Sequence, residues 1–284
     1  ATILALVQPG DEVVTFEPYY DSYAASIALA GGVRRTVPLR FPDWSFDEGS
    51  LRTTFSDRTR MVLLNTPHNP TGKVFSRSEI DLICRFARER GAWVVTDEVY
   101  EHLTFDGADH ICVASLPGMW DHTLTISSAG KTFSTTGWKV GWVSGPAEAV
   151  AAVRAVKQFV TFVGSGPFQP AVAVGLGLGD DVYAGLATSL ERKRDLLVAG
   201  LRTAGLPVSV PAGTYFVVAD AAALGATDAL TFCRELPARA GVVGVPVSVF
   251  CDDKKATASL VRFAFCKRDD ILLEAVERLA ALRG

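Results

Sequence analysis

Thr123-Leu124-Thr125-Ile126-Ser127-Ser128-Ala129-Gly130-Lys131-Thr132-Phe133, followed by Gly137-Trp138-Lys139-Val140-Gly141, is the stretch on which the fold turns. An apolar, strand-like run from Thr123 to Ile126 delivers one lysine into a loop of small residues, with hydroxyls before it and a second cation eight residues on. Such a loop suits a covalently held, phosphate-bearing ligand. The Lys131 amine can form an imine with an aldehyde, while the Ser127 and Ser128 hydroxyls, backbone N–H groups and the Lys139 ammonium neutralise a phosphate. Taken alone, a lysine is more often a solvated surface charge, so the other groups must come from elsewhere in the chain.

Working outward, short β-rich runs alternate with helical ones. Strands are predicted at Glu12–Phe16, Val33–Pro38, Met61–Asn65, Trp93–Asp97, Thr123–Ser127 and Val140–Ser144, with helices at Asp21–Ala30 and Glu79–Arg90. This is the β-α-β rhythm of a mostly parallel sheet covered by helices, an α/β class, in which ligands sit at the carboxyl ends of strands. Ser76-Arg77-Ser78-Glu79 reads as a capping box opening one helix. Three polar clusters, Asn65 to Asn69, Asp97 to Tyr100 and Ser127 to Lys131, follow strand ends and so converge on one rim. From about Ala147 the texture changes: helices at Ala147–Phe159 and Tyr183–Thr203 flank a bend at Gly164-Ser165-Gly166-Pro167. Strands at Val208–Val210, Tyr215–Ala219 and Leu260–Phe265 and helices at Thr227–Ala240 and Asp269–Leu282 follow. The expected organisation is a large unit over residues 1–175, then an interdomain helix and a smaller C-terminal α+β domain over 176–284.

With 284 residues, 49% of them hydrophobic, the chain can bury one large core or two domains. A net charge of −3 offers no basic footprint, so nucleic acid and anionic membranes are poor partners and small molecules the better expectation. No apolar run approaches the roughly 20 residues of a membrane span. Ala1 to Gly10 reads as the tail of a buried helix ended by Pro9-Gly10, which suggests a start in mid-fold. Five scattered cysteines (Cys84, Cys112, Cys233, Cys251, Cys266) form no CxxC pair; a reducing, cytoplasmic setting fits, and no zinc site is indicated. The histidines show no metal-ligand spacing either, and His68 reads as a loop residue.

Pyridoxal 5′-phosphate carries both an aldehyde and a phosphate, and the remaining groups it needs are present in a workable order. Asp97 closes the apolar strand Ala92-Trp93-Val94-Val95-Thr96, where its carboxylate could face a pyridine nitrogen and favour the protonated ring. It reads equally as a cap on the next turn. Asn69, in the rigid loop Asn65-Thr66-Pro67-His68-Asn69-Pro70-Thr71-Gly72, and the Tyr100 hydroxyl can each donate to a phenolate oxygen. Their plainer readings are a turn residue and a core aromatic with a wet tip. Tyr19, in Glu17-Pro18-Tyr19-Tyr20-Asp21, offers a flat ring for stacking on the pyridine face, or simply packs in the core. Arg262 is the single charge inside Leu260-Val261-Arg262-Phe263-Ala264-Phe265; its fork either pairs with a structural carboxylate or holds an anionic ligand, for which an α-carboxylate is the natural choice.

Together, Asn65–Gly72, Thr96-Asp97-Glu98-Val99-Tyr100-Glu101, Ser127–Phe133 and Val261-Arg262-Phe263 make the chain resemble the fold type I, class I/II pyridoxal-phosphate aminotransferases over nearly its whole length. Within them it is most similar to the branch of kynurenine/glutamine transaminases and actinobacterial N-succinyldiaminopimelate aminotransferases. Glu17–Tyr23, Lys157-Gln158-Phe159, Phe168–Ala173 and Phe265–Asp270 carry that likeness. The resemblance implies Lys131 as Schiff-base lysine, Asp97 as partner of the pyridine nitrogen, Asn69 and Tyr100 as O3′ donors, and Tyr19 as stacking ring. It further implies Ser128 and Lys139 at the phosphate and Arg262, with Asn69, at the substrate carboxylate. Lys139 stands where many relatives carry arginine, so its grip would be that of a point charge. An N-terminal arm, a substrate-contacting glycine and a glycine-rich phosphate turn of the family are not found before Ala1.

The activity implied is transfer of an amino group from an L-amino acid to a 2-oxo acid, with 2-oxoglutarate as the expected acceptor, by a homodimer. N-succinyldiaminopimelate, kynurenine or glutamine-type donors all stay open. Two alternatives on the same scaffold are a cysteine-conjugate β-lyase and the cofactor-sensing domain of a transcription regulator.

Overall fold

The apolar runs pair as their spacing demands. A computed structural model describes residues 1–283; Gly284, the last residue of the expected second unit, lies outside the described residues. Strands β1 (Glu12–Glu17), β2 (Val33–Pro38), β3 (Thr59–Asn65), β4 (Trp93–Asp97), β5 (Thr123–Ser128) and β6 (Gly141–Ser144) form one sheet in the order β2-β1-β3-β4-β5-β6. Helices α1 (Thr2–Leu6), α2 (Asp21–Leu29), α3 (Glu48–Thr54), α4 (Arg77–Glu89), α5 (Ala129–Thr132), α6 (Ala147–Val160) and α7 (Phe168–Leu176) accompany it. The first five strands run parallel and β6 returns antiparallel to β5. β1 is buried along its whole length, as expected of a strand covered on both faces, whereas the edge strand β2 alternates.

Two cores follow from that double cover. Val14, Phe16, Val62, Leu64 and Val94 face Phe75, Ile80 and Ile83 on one side of the sheet; Val13, Met61, Leu63 and Val95 face Ile3, Ile27 and Val153 on the other. Each such side chain removed from water contributes about 1.5–3 kcal/mol. The capping box forms: Ser76 Oγ accepts from the Glu79 N–H at 3.3 Å, and the Glu79 carboxylate accepts from the Ser76 N–H at 2.8 Å.

A second, antiparallel sheet of order β7-β8-β10-β9 is built from β7 (Val208–Ser209), β8 (Phe216–Asp220), β9 (Val245–Pro246) and β10 (Leu260–Ala264). Helices α8 (Asp180–Thr203), α9 (Ala229–Ala240) and α10 (Asp269–Ala280) pack on it through Leu197, Leu201, Phe232, Leu236, Leu272 and Leu279. Arg194, 3% exposed on α8, ties this layer to the loop after β4: it pairs with Asp106 at 2.5 Å, donates to the Pro211 carbonyl at 3.2 Å and lies over the Phe105 ring. Gly72 lets the Asn65–Gly72 loop approach the same region, since its φ is +74° and a Cβ there would lie 2.2 Å from Pro211 Cβ.

Three elements differ from the sequence reading. Helix α3 follows an Asp47 cap that periodicity did not signal, because its short run Glu48–Thr54 buries only Leu51 and Thr54. Past the expected bend at Gly164–Pro167 a helix, α7, follows, whose apolar side chains are largely exposed. β9 is too short to leave a period in the sequence.

Candidate active site

Parallel register assembles the site. Asn65 pairs with Asp97, and Asp97 with Ile126, so the ends of β3, β4 and β5 lie abreast. Above them opens a cavity of 580 Å³ whose wall includes Asn69, Asp97, Tyr100, Ser128, Lys131 and Arg262. Lys131 stands on α5, the single turn that starts directly after β5, with Ser127 and Ser128 before it. Close β5–β6 pairing needs Gly141, where a Cβ would sit 2.9 Å from the Ser127 carbonyl oxygen.

Asp97 is held from two sides. The Tyr23 hydroxyl donates to Oδ2 at 2.6 Å and the Val99 N–H to Oδ1 at 3.3 Å. Burial pushes the Asp97 carboxyl above the usual Asp value, and the Tyr23 hydrogen bond works against that rise. The β3 end is braced as well, because Asn65 donates to the Asp97 carbonyl at 2.8 Å and accepts from the Asn69 N–H at 2.6 Å. Tyr100 is 3% exposed and edge-on to Tyr215, with ring centres 5.4 Å apart. Burial raises its phenol far above the ordinary range, so it stays a proton-bearing donor.

Arg262 projects from β10 into the same cavity. Its Nη1 donates to Asn69 Oδ1 at 2.7 Å, and its guanidinium carbon lies 4.1 Å from the Phe216 ring centre and 4.8 Å from that of Phe250. Burial lowers its pKa from the usual value, yet an arginine remains a cation at any working pH. No carboxylate of the described residues makes a salt bridge with it, which leaves the remaining N–H groups of the fork for an anion.

Two expected residues, Tyr19 and Lys139, are not part of this cavity's wall. Tyr19, expected as a stacking ring, is 5% exposed and its hydroxyl donates to Asp252 at 2.7 Å. Its neighbour Tyr20, which caps α2, lines the wall instead, edge-on to Tyr23. The physical reason is that β1 ends at Glu17: beyond a strand its alternation no longer says which of two adjacent rings turns inward. Lys139 is exposed, adopts a left-handed φ of 56° and is not part of the wall. His68 is the loop residue expected. It is buried against Thr71, and burial drives its pKa down to about 3, so it is uncharged. Sequence reasoning missed Tyr20 and Tyr23, whose spacing of three along α2 is the signal that could have found them, and the pair Phe216 and Phe250, which left none.

The donor set fits a phosphorylated pyridine aldehyde: an amine, a hydrogen-bonded carboxylate at the neighbouring strand end, phenol and serine hydroxyls, and one guanidinium free to take an anion. Comparisons with known proteins agree. The family model for aminotransferase class I and II matches residues 1–279. A probable N-succinyldiaminopimelate aminotransferase of Mycobacterium tuberculosis is 49% identical, over 99% of this chain and 74% of that one. The solved structure of the N-succinyldiaminopimelate aminotransferase from that organism superimposes with a TM-score of 0.95 over the same shares. A kynurenine–oxoglutarate transaminase of Dictyostelium discoideum is 38% identical over 100% of this chain and 74% of its own length. Fold, wall chemistry and kinship therefore agree that the chain belongs to the class I and II aminotransferases, enzymes that use pyridoxal 5′-phosphate to move an amino group from an amino acid to a 2-oxo acid.

Proposed function

We propose that this aminotransferase takes an N-succinyldiaminopimelate-type donor and 2-oxoglutarate, with Lys131, Asp97, Tyr100, Asn69, Ser128 and Arg262 as its working residues. The observation that carries the reading is the shared cavity: an amine and a hydrogen-bonded carboxylate at its floor, and an unpaired guanidinium between two aromatic rings at its side. When bound, pyridoxal 5′-phosphate supplies an aldehyde for the amine and a ring that draws electrons from the substrate α-carbon. Asp97 would hold a proton at the pyridine nitrogen, Tyr100 and Asn69 would donate to the ring oxygen, and the Ser128 hydroxyl would donate to the phosphate. Arg262 would orient the α-carboxylate, and the Lys131 amine would take the proton from the α-carbon and deliver it to the carbon that carried the cofactor's aldehyde. The named relatives are transaminases, which favours amino-group transfer over a lyase or a regulator.

The donor assignment rests on the 49% identity to the mycobacterial enzyme; the kynurenine-type donor is the second reading, at 38%. A homodimer is supported by the apolar surface left on α6, α7 and the connection between them, where Phe159, Phe162, Val163 and Val174 are exposed. Five unpaired cysteines favour a cytoplasmic setting, and two separate sheets favour a division close to residue 176. No described helix is long and apolar enough to cross a membrane. The test is a panel of amino donors with 2-oxoglutarate, alongside Lys131→Ala. Glutamate should form fastest from the succinylated diamino acid, and the variant should lose both turnover and the visible absorbance of bound cofactor. Turnover by the variant with that absorbance intact refutes the lysine; a faster aromatic donor refutes the substrate.

A further inference from the structure

Tyr19, displaced from the cavity, takes part in a different arrangement. Its hydroxyl donates to Asp252 Oδ1 at 2.7 Å, and Arg34 donates to the same carboxylate, through Nε to Oδ2 at 3.1 Å and through Nη2 to Oδ1. The Arg34 guanidinium also covers the Tyr19 ring, 4.7 Å from its centre. Two backbone links lie alongside: the Tyr19 N–H donates to the Phe250 carbonyl at 2.9 Å, and the Asp253 N–H donates to Glu17 Oε1 at 2.9 Å. Residues from the end of β1 and from β2 thus hold one short segment, Phe250 to Asp253, that belongs to the connection between β9 and β10. Burial alone would lift the Asp252 carboxyl, but the hydrogen bonds from Arg34 and Tyr19 outweigh it and keep the group ionised below the usual Asp range.

The held segment begins at the residue that matters for substrate. Phe250 lines the cavity and forms one side of the aromatic sandwich around Arg262, opposite Phe216. Phe216 sits within β8 and is fixed by the smaller sheet; Phe250 is the last residue of a short 3-10 turn, Val247–Phe250, and its carbonyl is held by the Tyr19 N–H.

We propose that Tyr19, with Arg34 and Asp252, is a positioning residue that sets the Arg262 guanidinium for substrate carboxylates by locking the Phe250 segment to the large sheet. This rests on the reading of Arg262 given above. Tyr19 acts through Phe250 and touches neither cofactor nor substrate.

The test uses the cofactor-loaded enzyme with Tyr19→Phe, which keeps the ring and removes one hydrogen bond, and Asp252→Asn as the second variant. Maleate, a dicarboxylate that cannot react, serves as the binding probe. Tyr19→Phe should weaken maleate and raise the KM for 2-oxoglutarate by about 5–10-fold, the scale of one hydrogen bond, with kcat within about 2-fold. The absorbance spectrum of the cofactor should not move. Asp252→Asn should act in the same direction, and the double variant should be less than additive, because the two form one unit. Unchanged maleate affinity in Tyr19→Phe, even with a lowered melting temperature, overturns the proposal, and so does a shifted cofactor spectrum, which would put the Tyr19 ring on the cofactor. Arg262→Lys separates the two layers: if it leaves maleate binding intact, the assignment of Arg262 fails, and if it weakens binding while Tyr19→Phe does not, only the latch fails.

Discussion

Replacing Asp97 with Asn should make the apo-protein more stable at neutral pH while crippling the enzyme. Burial raises the Asp97 carboxyl above its value in an unfolded chain, so the folded state favours the neutral form. The stability linked to that preference is fully present below the unfolded value, and it is lost as pH rises through the raised folded value and the charge must be carried inside. Asparagine has the same shape. Its oxygen can accept from the Val99 N–H and its amide can donate to the Tyr23 oxygen, so the one group left without a partner is the Tyr23 hydroxyl proton, at a cost of about 1 kcal/mol. Hydrogen bonds to the charge recover about 1.5–3 kcal/mol each against a burial penalty of several kcal/mol, and we expect about 1–2 kcal/mol of net stabilisation in the variant. For a chain of this size that is a rise in melting temperature of about 2–8 °C. Calorimetry of both apo-proteins between neutral pH and about pH 3 is the assay, since below the ordinary Asp value the carboxyl is protonated and the advantage should vanish. The loaded variant should lose about 10²–10⁴-fold in kcat, because an amide cannot hold the proton at the pyridine nitrogen. A variant no more stable than the parent at neutral pH, or equally favoured in acid, refutes the account of Asp97.

Two further outcomes follow from other contacts. Arg262→Lys replaces a planar fork by a point charge and gives up the stacking between Phe216 and Phe250, so the KM of a carboxylate substrate should rise about 10–100-fold with a smaller change in kcat, measured by steady-state kinetics. Ser76→Ala removes the capping hydroxyl of α4, far from the cavity, and should cost about 1 kcal/mol in urea unfolding with turnover unchanged.

Much of the larger sheet was legible because its signals are local. Apolar runs such as Val62–Leu64 and Val94–Val95, set between turn signals, read as strands covered on both faces, and the Ser76/Glu79 pair marks a helix start from four residues alone. The antiparallel return of β6 and the exposed helix α7 were less legible. Four residues that read as one more strand do not announce their direction, and an apolar helix without a core to face has no polar side to reveal its period. In the site, Asp97, Tyr100, Ser128 and Lys131 were found through strand ends, whose carboxyl termini share one rim in any parallel sheet. Lys139 was named from its spacing after Lys131 and from the family resemblance; it is exposed and has a left-handed backbone.

By itself the amino-acid sequence determined an α/β chain with one lysine and one carboxylate set at strand termini and one arginine inside an apolar strand, because periodicity, capping and turn chemistry act over a few residues. Only the tertiary structure decided that Tyr20 rather than Tyr19 faces the cavity, and that Arg262 meets Asn69, Phe216 and Phe250. It alone brought Asp252 back onto Tyr19 and Arg34. Those contacts join residues up to 233 positions apart. They depend on how two separately hydrogen-bonded sheets pack against each other, and no local pattern encodes that.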